Sequence, residues 1–167
     1  IDKNHRLFNK KLGGGAILDL GCYPSSMSIL IASLKSDFKK IQVKDKKLDF
    51  YKTGIDINSF ATLHFDNNFV SYIGTSFQNN LGKKTIIKGE DGTIIIEDSW
   101  HGEPSKIFIE GKYNEVCNIS SDKSIYSYEI ENFSNNILQN NFNVKYPGMS
   151  FEETFLNIKI IDEWLNK

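Results

Sequence analysis

The stretch that decides the fold reads LGGGAILDLGCYPSSMSILIASL and spans residues 12–34. Its three glycines are followed by a dense run of helix-compatible apolar residues, which predicts one helix from about Gly15 to Leu34. Pro24 has no backbone N–H to donate to the Leu20 carbonyl, so we expect the helix to kink between Gly21 and Pro24.

After this helix the apolar period changes to two, because β-branched and aromatic residues alternate with polar ones from about Ile41 to Ile119. Within this region, the predicted core face of one strand carries Ile55, Ile57, Ala61, Leu63 and Phe65. Three turn signals separate neighbouring strands, at Asp66-Asn67-Asn68, Asp91-Gly92 and Gly111. The pattern therefore predicts a meander that contains three hairpins.

Helical spacing returns in the last third of the chain. After Ser124 one apolar stripe comprises Ile130, Phe133, Ile137 and Leu138. Ser150 followed by Glu153 is a capping box, which predicts the start of a final helix. The apolar residues of that helix at helical spacing are Phe151, Phe155, Ile158, Ile161 and Leu165.

The order helix, strands, helices predicts an α+β fold, with an open-faced, predominantly antiparallel β-sheet and helices on one face. A length of 167 residues suits a single domain over residues 1–167. The open sheet face is expected to carry Phe60, Val70, Tyr72 and Ile86, which is more apolar area than a lone monomer usually exposes. We therefore expect a two-fold homodimer through this face.

Composition and charge exclude several classes of function. The chain is 40% apolar and 25% charged, with a net charge of -1. These values are typical of a soluble globular protein and provide no attraction to nucleic acid or to an anionic membrane. Asp19 and Pro24 interrupt the richest apolar stretch, so no membrane span is expected. Cys22 and Cys117 form no CxxC pair, which favours a reducing, cytoplasmic location.

The N-terminus indicates a piece of a longer protein. The first residue is Ile1 and the first methionine is Met27, so we expect a fragment. Its polar opening residues lack the apolar core of a signal peptide.

The glycine run has two interpretations. A dinucleotide fingerprint needs glycine at its first, third and sixth positions, but the sixth position from Gly13 is Leu18, and no predicted strand precedes the run. Gly13, Gly14 and Gly15 either form a flexible helix start or leave side-chain-free backbone, past which a nicotinamide ring can approach the helix N-terminus.

A polar pair interrupts the apolar helix. Asp19 and Tyr23 stand four positions apart, so they share a helix face with Cβ atoms about 5 to 6 Å apart. A carboxylate is costly to bury without hydrogen bonds, so the pair is either a bonded core network or a site. A phenol can donate a proton, but its reference pKa of about 10 requires a neighbouring cation near neutral pH.

The remaining candidates are weaker. His5, His64 and His101 are too dispersed for metal ligands, so no metal site is expected. Cys22 is more typical of a buried small apolar group than of a nucleophile. The loop WHGEP, residues 100–104, is either the rim of a pocket or a solvated loop.

Two stretches resemble one known family. DKNHRLFN at residues 2–9 and LGGGAILDLGCYP at residues 12–24 resemble the start of the C-terminal domain in the glucose-fructose oxidoreductase, inositol dehydrogenase and MocA family. The branch that they resemble most comprises the dimeric dihydrodiol dehydrogenases and the NADP-dependent xylose dehydrogenases. IKGEDGT at residues 87–93 is similar to a strand turn of this family, and YEIENF at residues 128–133 to its late helix.

The resemblance implies a GAPDH-like C-terminal domain, with the family's N-terminal Rossmann domain absent from this chain. It implies the substrate-binding and oligomerisation half of an NAD(P)-dependent oxidoreductase that acts on CH–OH groups of a sugar, polyol or dihydrodiol. Tyr23 matches the tyrosine that relays the proton, and Asp19 matches the aspartate that positions substrate hydroxyls. The family's lysine, from a Glu-Lys-Pro motif in the other domain, does not occur here.

Further expectations follow from the same resemblance. NAD or NADP would bind mainly to the absent domain, close to Gly13–Gly15, and the chain alone would bind neither and would be inactive. Arg6 is the only arginine and either bonds a substrate oxygen or ties the N-terminal residues to the helix. If the loop at residues 100–104 forms the rim of a pocket, Trp100 and His101 would contact the small polyhydroxy substrate. The alternative function is a non-catalytic binding or dimerisation module, such as a truncated relic or pseudoenzyme.

Overall fold

A computed structural model describes residues 5–144, 146 and 148–166 of the chain. Residues 2–4 of the family-like stretch therefore lie outside the described residues. The chain divides into two compact units, Ile1–Leu81 with Met149–Lys167, and Gly82–Gly148. A single domain over residues 1–167 stays a prediction.

The first unit combines helices with a three-stranded antiparallel sheet. Two 3₁₀ turns, Arg6–Phe8 and Lys10–Leu12, precede helices α1 (Ala16–Leu20) and α2 (Cys22–Lys35). Strands β1 (Ile41–Phe50), β2 (Asp56–Phe65) and β3 (Val70–Ser76) follow, with β2 in the centre. The C-terminal helix of this unit spans Phe151–Leu165.

The second unit contains a four-stranded antiparallel sheet and one described helix. Its strands are β4 (Thr85–Lys88), β5 (Gly92–Ile96), β6 (Ser105–Gly111) and β7 (Glu115–Ile119), each paired with the next. Helix α3 spans Ile125–Leu138, and the C-terminal helix of the first unit is therefore α4. The α+β class and the three predicted hairpins are confirmed, although the strands form two sheets rather than one.

The predicted interruption of the first helix is confirmed at Gly21, which separates α1 from α2. Gly21 keeps a right-handed conformation, with φ −65° and ψ −24°, and its N–H donates to the Ile17 carbonyl at 2.8 Å. Pro24 lies in the first turn of α2, where the backbone N–H groups have no partner within the helix, so its missing N–H costs little there.

The core of the first unit lies between its sheet and its helices. All five predicted core residues of β2 and its flank are buried, and so are Ile17 and Ile29 on the helices and Trp164 on α4. Full burial of a side chain such as Leu63 contributes about 1.5–3 kcal/mol. The hydrophobic effect thus holds the helices on one face of this sheet.

The opposite face of the same sheet is open. Thr62 pairs with Tyr72, Phe60 with Gly74 and His64 with Val70, so these side chains share a face. Phe60, Val70 and Tyr72 are exposed there, Tyr72 by 84%. Ile86 is also exposed, in the second unit. The predicted open face is confirmed for Phe60, Val70 and Tyr72, whereas the prediction was wrong to place Ile86 on the same face, because its strand belongs to the other sheet.

The apolar residues that the sequence places at helical spacing on α4 divide between core and solvent. The capping box of Ser150 and Glu153 forms as predicted. Ile161 and Leu165 pack against the core, whereas Phe151, Phe155 and Ile158 are exposed. Ile160 and Trp164 are buried in the same core, and the polar Asn157 is buried as well. The predicted stripe of α3 is likewise exposed, at Ile130, Phe133, Ile137 and Leu138.

The first helical stretch meets one criterion for a membrane span. Lys10–Lys35 is long and apolar enough to cross a membrane by length and composition alone, as core helices of soluble proteins also are. Its contacts assign it to the core, because Ile29 and Ala32 are buried in the cluster beneath the sheet. Ser28 also donates to the Pro24 carbonyl and lies 2.7 Å from Ser71 Oγ of β3.

Candidate active site

The glycine turn is closely packed against the N-terminal residues. The Gly14 N–H donates to the Asn9 carbonyl and the Gly15 N–H to the Leu7 carbonyl, both at 3.0 Å. A Cβ at Gly14 would come within 2.7 Å of the Leu7 carbonyl carbon, so only glycine permits this approach. Phe8 anchors the same segment with ring centroids 5.6 Å from Tyr51 and 5.8 Å from Phe77.

The last glycine of the run faces a buried carboxylate. Gly15 has φ +132°, and a Cβ there would collide with Oδ1 of Asp56. Asp56 is only 2% exposed and accepts hydrogen bonds from the Ile17 N–H and the Ser59 hydroxyl, both at 2.9 Å. The run is therefore a hydrogen-bonded, closely packed turn. Its proximity to a cofactor stays a prediction for Gly13, Gly14 and Gly15.

Asp19 on α1 forms an ion pair with the only arginine. The Nη2 atom of Arg6 lies 3.5 Å from Asp19 Oδ1, and the side chains are 63% and 25% exposed. The structure therefore contains the tie between the N-terminal residues and the helix. Because most of the Arg6 side chain remains in solvent, the guanidinium also keeps donors available for another acceptor.

Tyr23 projects from the first turn of α2 and is 54% exposed. Within residues 5–144, 146 and 148–166, its hydroxyl makes no hydrogen bond. A bonded core network of Asp19 and Tyr23 is therefore excluded, since neither side chain is buried. The phenol is open to a ligand.

A buried amide contacts the chain one residue before Tyr23 and two residues after it. Asn157 on α4 donates from Nδ2 to the Cys22 carbonyl at 3.0 Å. Its Oδ1 accepts from the Ser25 hydroxyl at 2.6 Å, and the same hydroxyl lies within 2.7 Å of the Gly21 carbonyl. These bonds fix the start of α2 to α4 and hence the position of the Tyr23 backbone.

Cys22 is not suited to nucleophilic catalysis. Burial raises the pKa of its thiol, and the neighbouring Asp19 charge raises it further by a smaller amount. A thiol of raised pKa carries little thiolate at neutral pH, and the thiolate is the nucleophile. This result agrees with the interpretation of Cys22 as a small packing residue.

Trp100 and His101 belong to the second unit, whereas the glycine turn, Arg6, Asp19 and Tyr23 belong to the first. Their loop is organised by Asp98, which accepts from His101 Nδ1 at 2.9 Å and from the Trp100 N–H at 3.1 Å. Lys83 Nζ lies 3.2 Å from the same carboxylate. The His101 bond is the largest of the contacts that hold the pKa of Asp98 well below its usual range.

No group of three or more His, Cys, Asp or Glu side chains is placed to hold a metal ion among the residues that the structure describes. The Asp56 carboxylate accepts hydrogen bonds from the Ile17 N–H and the Ser59 hydroxyl. The Asp98 carboxylate forms an ion pair with Lys83.

Sequence reasoning missed Asp56 and Asn157. By the alternation of β2, Asp56 falls on the face opposite Ile57, Ala61 and Leu63, yet it is buried. Its contact with Ile17 joins residues 39 positions apart, and the contact of Asn157 with Ser25 joins residues 132 positions apart. No local spacing signals such contacts.

Comparison with known proteins gives a family match and two curated relatives. Residues 2–95 match the model of the GFO/IDH/MocA C-terminal domain. The trans-1,2-dihydrobenzene-1,2-diol dehydrogenase of Xenopus tropicalis is 26% identical over 176 residues, which cover 100% of this chain and 51% of the relative. The enzyme of the same name from Xenopus laevis is 25% identical over 170 residues, which cover 97% of this chain and 49% of the relative. The chain thus spans about half the length of the curated relatives that it matches.

Solved structures share the fold. KijD10, a 3-ketoreductase from Actinomadura kijaniata in complex with NADP and TDP-benzene, has a TM-score of 0.78 at 14% identity, covering 97% of this chain and 48% of that one. The aldose-aldose oxidoreductase from Caulobacter crescentus, complexed with glycerol, has a TM-score of 0.74 at 13% identity, covering 98% and 48%. The expected GAPDH-like C-terminal fold is confirmed.

Proposed function

Because the chain belongs to the GFO/IDH/MocA C-terminal domain family, we propose that it is the substrate-binding half of an NAD(P)-dependent oxidoreductase. The reaction acts on a CH–OH group of a sugar, polyol or dihydrodiol. Support comes from relatives and neighbours that are named as a dihydrodiol dehydrogenase, a ketoreductase and an aldose-aldose oxidoreductase.

The observation that carries the proposal is the exposed Tyr23 at the start of α2. NAD or NADP, when bound, supplies the hydride donor or acceptor of the reaction. Tyr23 exchanges the proton of the substrate hydroxyl, for which an exposed phenol without a hydrogen-bond partner among the described residues is suited. The hydrogen bond from Asn157 to the neighbouring Cys22 carbonyl holds the backbone from which this phenol projects, which supports its use as a positioned acid or base.

Asp19 and Arg6 are the proposed substrate contacts beside Tyr23. The Asp19 carboxylate accepts hydrogen bonds from substrate hydroxyls, and the exposed part of the Arg6 guanidinium donates to a substrate oxygen. Their mutual ion pair orients both groups before substrate arrives. Trp100 and His101 belong to the second unit, and their contact with substrate stays a separate prediction.

A cation must lower the pKa of a phenol before it works as an acid or base near neutral pH. The family resemblance assigns this part to a lysine of the nucleotide-binding half. That half also holds NAD or NADP, since this chain has no dinucleotide fingerprint. The chain alone is accordingly proposed to bind neither nucleotide and to be inactive.

The proposed assembly is a homodimer through the open sheet face, and the proposed location is the cytoplasm. The exposed apolar side chains of that face, including Phe60, Val70 and Tyr72, support the first point. The free thiols of Cys22 and Cys117 support a reducing compartment.

A turnover assay of the complete protein tests the proposal. The protein is mixed with NADP or NAD and with one of several candidate substrates: a trans-dihydrodiol, a pentose, a hexose or an inositol. Reduction of the nicotinamide, followed by its absorbance, is expected for at least one pair. Bound nucleotide without turnover on any of these substrates would contradict the oxidoreductase and favour the non-catalytic module.

A further inference from the structure

The N-terminus of α1 is capped by a side chain from a distant strand. The residue at the capping position is Gly15, which has no side chain to accept from the first N–H groups of the helix. Asp56, the first residue of β2, supplies the acceptor instead, with Oδ2 2.9 Å from the Ile17 nitrogen. A carboxylate at a helix N-terminus is also favoured by the helix dipole.

Gly15 and Asp56 fit together sterically, because the carboxylate occupies the space beside the glycine. A carboxylate that is 2% exposed is costly unless it is bonded, and Oδ2 of Asp56 also accepts from the Ser59 hydroxyl at 2.9 Å. The other oxygen, Oδ1, occupies the space that a Cβ at position 15 would fill. The absence of a side chain in the turn and the presence of a carboxylate on β2 thus form one packing unit.

The helix that Asp56 caps is the one that carries Asp19. α1 has five residues, far fewer than an isolated helix needs to be stable, so its position depends on contacts from outside. The chain then continues through Gly21 to Tyr23. On the basis of the proposed function, we infer that Asp56 is a positioning residue, which fixes the glycine turn and α1 so that Asp19 and Tyr23 meet the substrate in the reactive geometry.

The test compares Asp56→Ala and Asp56→Asn in the complete protein. Asn keeps an oxygen that can accept from the Ile17 N–H, whereas Ala removes it. Phe65→Leu is the control, because Phe65 lies at the far end of β2 and packs on Phe38 and Phe69, so it lowers stability away from α1. Melting temperature, kcat, KM and amide hydrogen exchange are measured for each variant.

Asp56→Ala should accelerate exchange of the amides in residues 14–20 by about ten-fold or more and lower kcat by about ten-fold or more. Asp56→Asn should change both the amide exchange of residues 14–20 and kcat less than Asp56→Ala does. Phe65→Leu should lower the melting temperature with kcat nearly unchanged. If Asp56→Ala lowers the melting temperature but leaves kcat nearly unchanged, as expected for Phe65→Leu, the positioning role is overturned.

The exchange measurement separates this inference from the proposed function. Local acceleration around α1 in a protein that lacks turnover on every substrate supports the structural half of the inference and contradicts the proposed function alone. If Asp56→Ala does not fold, the Asn variant carries the test. Unchanged exchange in residues 14–20 of a folded Asp56 variant overturns the inference, whatever the activity.

Discussion

The environments of single side chains decide which residues are candidates for chemistry. Tyr23 is exposed and without a hydrogen-bond partner in the described part of the chain, and Asp19 is partly exposed and paired with Arg6. Cys22, between them in sequence, has its pKa raised by burial. The hydroxyl and the carboxylate thus reach solvent, whereas the thiol carries little of the reactive thiolate at neutral pH.

Arg6→Met should separate substrate binding from structure. An exposed ion pair contributes about 0–1 kcal/mol to stability, and the Arg6 side chain is 63% exposed, so the melting temperature should change little. Loss of a charged hydrogen bond to substrate, worth about 1.5–3 kcal/mol, should raise KM by about ten-fold or more. Steady-state kinetics and thermal unfolding of the complete protein measure both effects.

Lys11→Met is the matched control, because it removes a nearby exposed positive charge that forms no ion pair among the described residues. Lys11→Met should leave both KM and the melting temperature nearly unchanged. A lower melting temperature with unchanged KM in Arg6→Met would mean that Arg6 serves only as the tie to α1.

At the scale of elements, the connection between α2 and α4 is held by Asn157. Asn157→Ala removes one donor to the Cys22 carbonyl and one acceptor of the Ser25 hydroxyl, both next to the segment of Tyr23. Each buried hydrogen bond contributes about 0.5–1.5 kcal/mol, so the loss of two should lower the free energy of unfolding by about 1–3 kcal/mol. Chemical denaturation measures this loss.

Ser33→Ala is the control on α2, the helix that Asn157 contacts, since Ser33 is exposed and its hydroxyl donates to the Leu30 carbonyl in its own helix. Its effect should stay within about 0.5 kcal/mol. Equal stability of the Asn157→Ala and Ser33→Ala proteins would show that the buried amide does not hold these helices together.

Elements with local causes could be predicted from the sequence. The turn residues predicted the hairpins, and Gly21 with Pro24 predicted the helix break. Ser150 with Glu153 predicted the capping box. The buried face of α4 could not be predicted by counting apolar residues, because the polar Asn157 lies on it and the phenylalanines do not. Asp56 was missed for a related reason, since its partner in α1 is distant in sequence.

At the scale of the whole molecule, the open sheet face predicts a dimer. Light scattering of the complete protein should give twice the mass of one chain. Tyr72 is 84% exposed, so Tyr72→Glu should alter the stability of the monomer little yet place a charge in the interface and shift the protein toward monomer.

Tyr113→Glu is the comparison, because Tyr113 is also an exposed tyrosine but lies in the connection between β6 and β7, outside the strands. It should leave the dimer intact. A monomeric wild-type protein at high micromolar concentration would contradict assembly through the sheet.

The central claim is that Tyr23 of this chain exchanges a proton in a reaction whose hydride carrier is bound by the other half. Tyr23→Phe in the complete protein tests it most directly, since only the hydroxyl is deleted. Turnover should fall by about 10² to 10⁴, with melting temperature and nucleotide affinity nearly unchanged, because the exposed hydroxyl makes no hydrogen bond to a described residue. A Tyr23→Phe protein that keeps its turnover and loses stability would contradict the account.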